Sequence, residues 1–132
     1  MKVFLDANVL FTAAHNPKGK AAFVIELSGK KYWRVVTCVL AIEEADRNLA
    51  KKYPSAQQEL KKVMRLIEVI PTSLKGDCEI ALPEKDRPIF LSAIASKCTH
   101  LLTGDMKDFG QYMNKPKKTS GIVIQTVAEF LA

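Results

Sequence analysis

Apolar residues along the chain follow two patterns, short uninterrupted runs and longer stretches with helical spacing. Uninterrupted runs are typical of buried parallel strands, and they lie at residues 2–5, 32–37, 68–70, 100–102 and 122–124. Apolar positions at helical spacing fill most of the segments between them. This alternation predicts an α/β fold, a three-layer sandwich in which helices flank a central, mostly parallel sheet of four to five strands.

Local signals predict where individual helices begin. Ser55 stands where an N-cap is expected, and Thr126 takes the same place before the closing helix. Residues 86–97 are predicted to be helical, with Pro88 in the first turn. Between residues 72 and 82 the pattern is ambiguous, and we favour a short helix from Lys75 to Ala81.

Length and composition narrow the class of protein. The 132 residues, 48% of them hydrophobic, predict a single domain spanning 1–132 with its own core. No apolar run is long and uncharged enough to cross a membrane, and Asp6 and Asn8 interrupt the apolar start too early for a signal peptide. Three cysteines without a C-x-x-C pair argue against a disulfide framework and a zinc–thiolate site, which favours a reducing, cytoplasmic location.

Acidic residues stand at predicted strand ends and helix starts in four separate parts of the chain. Asp6 follows the first strand, Glu44 comes soon after the second, Asp86 opens a helix, and Asp105 follows the fourth strand. The carboxyl ends of parallel strands face one common crevice, so we expect these side chains to converge.

Converging carboxylates need a counterion. Two of them about 4 Å apart repel by roughly 4 kcal/mol at an effective dielectric constant of about 20. Four are tolerable only with bound cations or protons. Mg²⁺ or Mn²⁺ fits best, because hard divalent ions take oxygen ligands and retain waters for chemistry.

Each of these acids also has a purely structural interpretation. Asp6 and Asp86 stand where helix N-caps are expected, and Asp105 lies in a turn where aspartate is common. Asp108 is an additional metal ligand or the cap of a short helix through Phe109 and Tyr112.

The overall charge is basic. Twenty Lys and Arg residues against fourteen Asp and Glu residues give a net charge of +6. A basic surface around an acidic crevice suits a polyanionic substrate such as a nucleic acid. The alternative is simple solubility, because Lys51, Lys52, Lys61 and Lys62 are spaced like the solvated faces of helices.

Taken together, these segments resemble the PIN domain, a compact α/β nuclease family that includes the VapC-type toxins of bacterial and archaeal toxin–antitoxin pairs. The resemblance covers essentially the whole chain. It rests on the order and spacing of residues 3–10, 36–45, 86–89 and 101–105, followed by 122–124 and 129–131.

The resemblance implies a role for each matching residue. Asp6, Glu44, Asp86 and Asp105 would be the catalytic metal ligands, and Asn8 and Thr103 would steady the site from beside it. Asp108 is a further candidate ligand.

The glutamate ligand is open between two neighbours. A helical wheel centred on Ile42, Ala45 and Leu49 places Glu43 nearer the apolar face. The spacing of the family, six residues after the small residue Cys38, favours Glu44. Family members usually have Ser or Thr at the position of Cys38.

The implied activity is a divalent-metal-dependent endoribonuclease that cuts single-stranded or loop RNA, leaving 5′-phosphate and 3′-hydroxyl ends. The partners implied are an RNA substrate, an antitoxin protein and a second copy of the chain. Lys30–Lys31 and residues 115–118 are candidate contacts to the RNA backbone. The alternative is a non-catalytic RNA-binding or scaffold PIN domain. A phosphoacceptor or phosphatase domain is weaker, because Asp6-Ala7-Asn8 lacks the D-x-D pair of such nucleophiles.

Overall fold

The computed structural model describes all 132 residues and is built on one five-stranded, fully parallel sheet. The strand order is β3-β2-β1-β4-β5, so the first strand is central. The strands are β1 (Lys2–Leu5), β2 (Arg34–Cys38), β3 (Glu68–Ile70), β4 (His100–Leu102) and β5 (Val123–Gln125). The predicted mostly parallel sheet of four to five strands is confirmed.

Seven α-helices flank the sheet. They are α1 (Ala7–His15), α2 (Lys20–Gly29), α3 (Val39–Lys52), α4 (Gln57–Val63), α5 (Arg87–Ala95), α6 (Met106–Phe109) and α7 (Val127–Leu131). The chain steps from β1 to β3 in one direction and then returns past β1 to β4 and β5. Because parallel crossovers are right-handed, the connections before β3 cover one face and those after β3 cover the other. The sheet is therefore the middle layer of three.

The central strand has the composition of a strand that is covered on both faces. Val3, Phe4 and Leu5 are fully buried, although consecutive side chains point to opposite faces of a strand. In the pairing register Leu5 lies opposite Leu102 of β4. The following residues, Asp6 and Thr103, therefore leave the sheet side by side.

Two local predictions were wrong. Residues 75–81 form no helix; Gly76 has φ +123°, a conformation that a right-handed helix does not contain. Ser55 is not a cap, because it lies inside the short 3₁₀ turn Pro54–Ala56 that precedes α4.

The closing helix begins as predicted. The Thr126 hydroxyl accepts a hydrogen bond from the Glu129 N–H, and the Glu129 carboxylate accepts one from the Thr126 N–H. This reciprocal capping box satisfies two backbone donors. None of the helices is both long and apolar enough to cross a bilayer.

Candidate active site

The predicted acidic residues surround one crevice of about 490 Å³ at the carboxyl edge of the sheet. Asp6 follows β1, Asp105 comes shortly after β4, Glu44 lies on α3 and Asp86 directly precedes α5. The chain leaves β1 and β4 toward opposite faces, so the crevice lies at the switch point of the topology, where α/β sheets bind ligands. Four segments that are distant in sequence therefore share one site.

Asp6 forms the floor of this crevice and is only 4% exposed. Its Oδ1 accepts a hydrogen bond of 2.7 Å from the Ala7 N–H. Its Oδ2 accepts one of 2.8 Å from the Thr103 hydroxyl and one of 3.2 Å from Asn8 Nδ2. Burial raises the pKa of Asp6 against the lowering effect of the bonds from Thr103 and Ala7, and nearby Glu44 adds to the rise. The fold thus holds this carboxylate in one orientation at an electrostatic cost.

Asn8 and Thr103 join the ends of β1 and β4 through hydrogen bonds. Besides donating to Asp6, the Thr103 hydroxyl oxygen accepts hydrogen bonds from Asn8 Nδ2 at 3.2 Å and from the Asp105 N–H at 3.0 Å. Asn8 Oδ1 accepts a bond of 2.7 Å from the Gly104 N–H. A Cβ at residue 104 would lie 3.3 Å from that same oxygen, so glycine permits the close approach. These contacts fix the loop that carries Asp105.

Asp86, Asp105 and Asp108 form the tightest carboxylate cluster, with one oxygen of each lying within 4.8 Å of the others. Asp86 is 7% exposed, and its Oδ2 is buried without a hydrogen-bond partner. Burial first, and then the neighbouring Asp108, raises the pKa of Asp86 to about 7, although Lys85 opposes the rise. Lys85 Nζ lies 3.7 Å from the Asp108 carboxylate and is largely exposed. An unpartnered buried oxygen among close carboxylates is the arrangement expected of a site for a hard cation.

The structure shows which of the candidate aspartates cap helices. Asp108 does not cap the short helix α6; Asp105 does, because its Oδ1 accepts a bond of 3.0 Å from the Asp108 N–H. Asp86 occupies the N-cap position of α5 but makes no capping bond. Asp6 both bonds the first N–H of α1 and lines the crevice. Capping and site formation are therefore combined at Asp6 and Asp105.

Glu43 and Glu44 differ in burial and in their position relative to the crevice. Glu44 is half-buried and lines the crevice, and its charge acts on Asp6. Glu43 is exposed and does not line it. The core stripe of α3 consists of Ala41, Ala45 and Leu49, so Glu44 lies nearer the buried face than Glu43 does, and it lines a crevice that α1 also borders. The metal-binding role of Glu44 stays a prediction.

The basic residues at the crevice are not the predicted ones. Lys52 and Lys85 line it. Lys31 instead lies with Met1 and Arg34, and residues 115–118 form a turn before β5. The composition predicted a basic surface but not which lysines would lie beside the acids.

A family model described as PIN domain matches residues 2–107. The chain belongs to the PIN domain family. A search of curated proteins finds no significant match.

Solved structures share the PIN domain architecture of this chain. VapBC2 from Rickettsia felis, bound to a DNA fragment from its promoter, aligns with a TM-score of 0.68 and 16% identity, covering 96% of this chain and 98% of that one. A toxin–antitoxin complex from Klebsiella pneumoniae gives 0.63 and 18%, covering 92% and 95%. VapC20 of Mycobacterium tuberculosis, a toxin that cleaves the sarcin-ricin loop, gives 0.56 and 11%, covering 83% and 94%. At these identities the likeness establishes the fold.

Residues from two helices extend this PIN domain crevice beyond the acids. They are Phe11 and Thr12 of α1 and Asn48 and Lys52 of α3. Sequence reasoning missed them, although Glu44, Asn48 and Lys52 recur every four residues, which is the signal of one helix face.

Proposed function

We propose that the chain is a divalent-metal-dependent endoribonuclease that hydrolyses RNA phosphodiester bonds and acts as the toxin of a toxin–antitoxin pair. The observation that carries the proposal is the convergence of Asp6, Glu44, Asp86 and Asp105 on one crevice, with the Asp86 Oδ2 buried and unpartnered. Such a set of carboxylates is costly without cations. Strongly perturbed acids in a cleft support a functional site.

The donor set fits Mg²⁺ or Mn²⁺. Asp86, Asp105 and Asp108 offer three carboxylate oxygens close to one another, and Asp6 and Glu44 offer more across the crevice. No sulfur or imidazole ligand belongs to the cluster, which favours hard ions over zinc. When bound, such an ion supplies a Lewis-acidic centre that lowers the pKa of a water and offsets charge on the phosphate.

Residues of the chain itself would orient the metal-binding carboxylates and hold the RNA strand. The bonds from Thr103 and Asn8 to Asp6 keep that carboxylate from rotating as substrate enters. Asp86 Oδ2, which is buried without a partner, would be a ligand of that ion. Lys85 stands beside the carboxylates, where it would hold a phosphate near the cut, and Lys52 stands farther along the wall of the crevice. Positioning of this kind is a major source of rate in phosphodiester hydrolysis.

The solved toxin–antitoxin structures support the rest of the proposal. One of the similar structures is a toxin–antitoxin complex by name, another contains VapBC2, and a third is a toxin that cleaves the sarcin-ricin loop. We infer that a cognate antitoxin covers the crevice of this chain and inhibits it. Residues 1–132 would be one nuclease domain, and a homodimer is a further expectation that the mass of the purified protein in solution tests directly.

The test is cleavage of total RNA by the purified chain in Mg²⁺ or Mn²⁺ against an EDTA control. Asp105→Asn should reduce cleavage by more than about 100-fold, because the loss of one metal ligand costs several kcal/mol of transition-state stabilisation. Asparagine is also a good N-cap, so α6 should persist. The matched control is Asp77→Asn, which changes an exposed aspartate away from the crevice and should leave cleavage unchanged.

Two outcomes would contradict the proposal. Wild-type turnover by Asp105→Asn would refute the site. RNA binding that persists in EDTA, with no cleavage in any divalent ion, would identify a non-catalytic RNA-binding PIN domain instead.

A further inference from the structure

Three aromatic side chains lie together at one end of the crevice. Phe11 and His15 belong to α1, and Tyr53 directly follows α3. The rings of His15 and Tyr53 are stacked, with centroids 3.7 Å apart and planes 15° apart. The Phe11 ring lies 6.1 Å from His15 and 5.9 Å from Tyr53. We call Phe11, His15 and Tyr53 the aromatic cluster.

The aromatic cluster is continuous with the acidic crevice. Phe11 lines the same crevice as Asp6 and Asp105. Along α3 the wall of the crevice passes from Glu44 through Asn48 to Lys52, two steps of four residues. Eight residues of helix rise about 12 Å. One end of this cleft therefore carries carboxylates, and the other end, about 12 Å along the helix, carries aromatic rings.

The electrostatic character changes over this distance. Lys52 Nζ lies 5.8 Å from the centroid of the Phe11 ring, within reach of a cation–π contact. Its ammonium group is on the crevice wall, opposite in sign to Glu44 two turns earlier. The acidic end requires a cation, whereas the aromatic end offers a positive charge to an anion beside it. A phosphate next to an apolar planar group satisfies both features of the aromatic end.

Within the aromatic cluster, Phe11 packs against the core and the other two rings lie at the surface. Tyr53 is 41% exposed, His15 is exposed and Phe11 is half-buried. Exposed rings next to a cation are the elements from which proteins build sites for single-stranded nucleic acid, because every base offers a flat face for stacking. In a duplex those faces are covered by neighbouring bases, so the ligand must carry an unpaired nucleotide.

We propose that the aromatic cluster and Lys52 form a base-stacking subsite that holds an unpaired nucleotide of an RNA strand about 12 Å from the carboxylates. The identity of the polymer as RNA rests on the proposed function. The subsite positions the strand, since a base held at Tyr53 fixes which phosphate reaches Asp105. It also selects single-stranded segments and loops over continuous helix.

The test measures binding separately from cleavage. Fluorescence anisotropy of a labelled single-stranded RNA of roughly eight nucleotides gives the dissociation constant in EDTA, and again in Ca²⁺, which neutralises the carboxylates. Tyr53→Leu should weaken binding about tenfold, because one stacked base is lost. Tyr32→Leu is the matched control, since Tyr32 is 66% exposed and lies with Met1 and Arg34, outside the crevice.

An abasic oligonucleotide separates stacking from backbone contacts. Its affinity should be nearly the same for wild type and Tyr53→Leu, because neither can stack a base that is absent. If Tyr53→Leu reduces binding of intact and abasic RNA equally, stacking is excluded and the proposal is wrong. Tyr53→Phe keeps the ring and should bind RNA within about twofold of wild type, which guards against a folding defect in the leucine variant.

Lys52 is tested by the salt dependence of binding. Lys52→Gln should reduce the slope of log affinity against log salt by roughly 0.7, the value for one phosphate contact to a single strand. Lys51→Gln changes the adjacent exposed lysine, which does not line the crevice, and should alter the slope less. Equal slopes for both variants would overturn the assignment of Lys52.

The outcomes also separate this inference from the proposed function. Tyr53-dependent RNA binding in a chain that never cleaves would refute the nuclease and retain the subsite. Metal-dependent cleavage with unchanged affinity in Tyr53→Leu would retain the nuclease and refute the subsite, leaving the exposed rings to another partner such as a protein.

Discussion

The amino and carboxyl edges of the sheet differ in how their charged side chains are paired and buried. At the amino edge, Arg34 of β2 and Glu68 of β3 form a two-pronged ion pair with distances of 2.7 and 2.8 Å, and both side chains are largely exposed. At the carboxyl edge, Asp6 and Asp86 are buried near other acids. The ion pair at the amino edge is neutral and satisfied, whereas the carboxyl edge holds several acids close together.

This difference shows that the fold tolerates destabilising buried acids at the carboxyl edge, where the candidate site lies. Exposed ion pairs contribute little to stability because water screens them. Buried acids with raised pKa values reduce stability at neutral pH unless a ligand offsets them. Changes at the carboxyl edge should therefore affect activity and stability in opposite directions, and changes at the amino edge should affect neither much.

The largest change in cleavage is expected at one of the two adjacent glutamates of α3. Glu44→Gln should reduce RNA cleavage by about 100-fold or more, because Glu44 lines the crevice and is a metal ligand in the proposed function. Glu43→Gln, one residue away and exposed, should keep wild-type turnover. Single-turnover rates on one defined RNA measure both. Equal loss in the two variants would show that the helix face has been assigned wrongly.

Metal binding should stabilise the carboxyl edge. At a free concentration 100 times its Kd, Mg²⁺ or Mn²⁺ should add about 2.7 kcal/mol, which for a chain of this length is a rise in Tm of roughly 10 °C. The rise should be smaller at pH 5, because protons compete with the ion for the carboxylates. Thermal unfolding with and without EDTA measures it. The same rise in Asp86→Asn would exclude Asp86 as a ligand.

The metal-free protein should lose stability as pH rises. The pKa of Asp86 is about 7 when folded and 3.8 in its ordinary state, so between those values folding takes up a proton. The free energy of unfolding then falls through that window. The full shift corresponds to roughly 4 kcal/mol, but the crevice is open to water and Lys85 lies nearby. We therefore expect a loss of about 1 to 2 kcal/mol between pH 5 and pH 8.

Asp86→Asn removes the titrating group. In EDTA at pH 8 this variant should be more stable than wild type by a similar amount, and it should be inactive. Urea unfolding at the two pH values gives both numbers. A pH dependence in Asp86→Asn as steep as that of wild type would assign the titration to another group, with Asp6 the next candidate.

The smallest effect is expected at the amino edge. Glu68→Gln breaks the exposed pair with Arg34 and should shift Tm by less than about 3 °C, with no change in cleavage. A larger shift would show that this edge contributes more than exposed ion pairs usually do.

Much of the fold could be predicted from the sequence, because its signals are local. The run from Lys2 to Leu5 predicted a buried strand without reference to any other segment. The strand-end positions of Asp6 and Asp105 predicted convergence, since parallel strands share a carboxyl edge. Thr126, standing at an N-cap position before an apolar segment, predicted the closing helix.

What the sequence could not predict depends on how elements meet. The helical wheel favoured Glu43 because it was centred on Ile42, whereas the observed core stripe of α3 begins at Ala41 and leaves Glu44 on the crevice, as the family spacing favoured. Lys52 lines the crevice, and Tyr53 reaches its edge through contact with Phe11, because the ends of α1 and α3 lie side by side. The irregular path of residues 75–81 follows from the conformation of Gly76, and buried Ile80 and Leu82 anchor it to the core without a helix.

The bond between the Thr103 hydroxyl and Asp6 spans 97 residues of sequence. Contacts of such separation close large loops, whose entropy must be lost before the contact forms. During synthesis β1 is made long before β4, with which it pairs, and Asp105 is made after β4. A chain interrupted before residue 100 has Asp6, Glu44 and Asp86 but lacks β4 and Asp105, which complete the crevice. The order of synthesis thus postpones assembly of the carboxylates until most of the protein is complete.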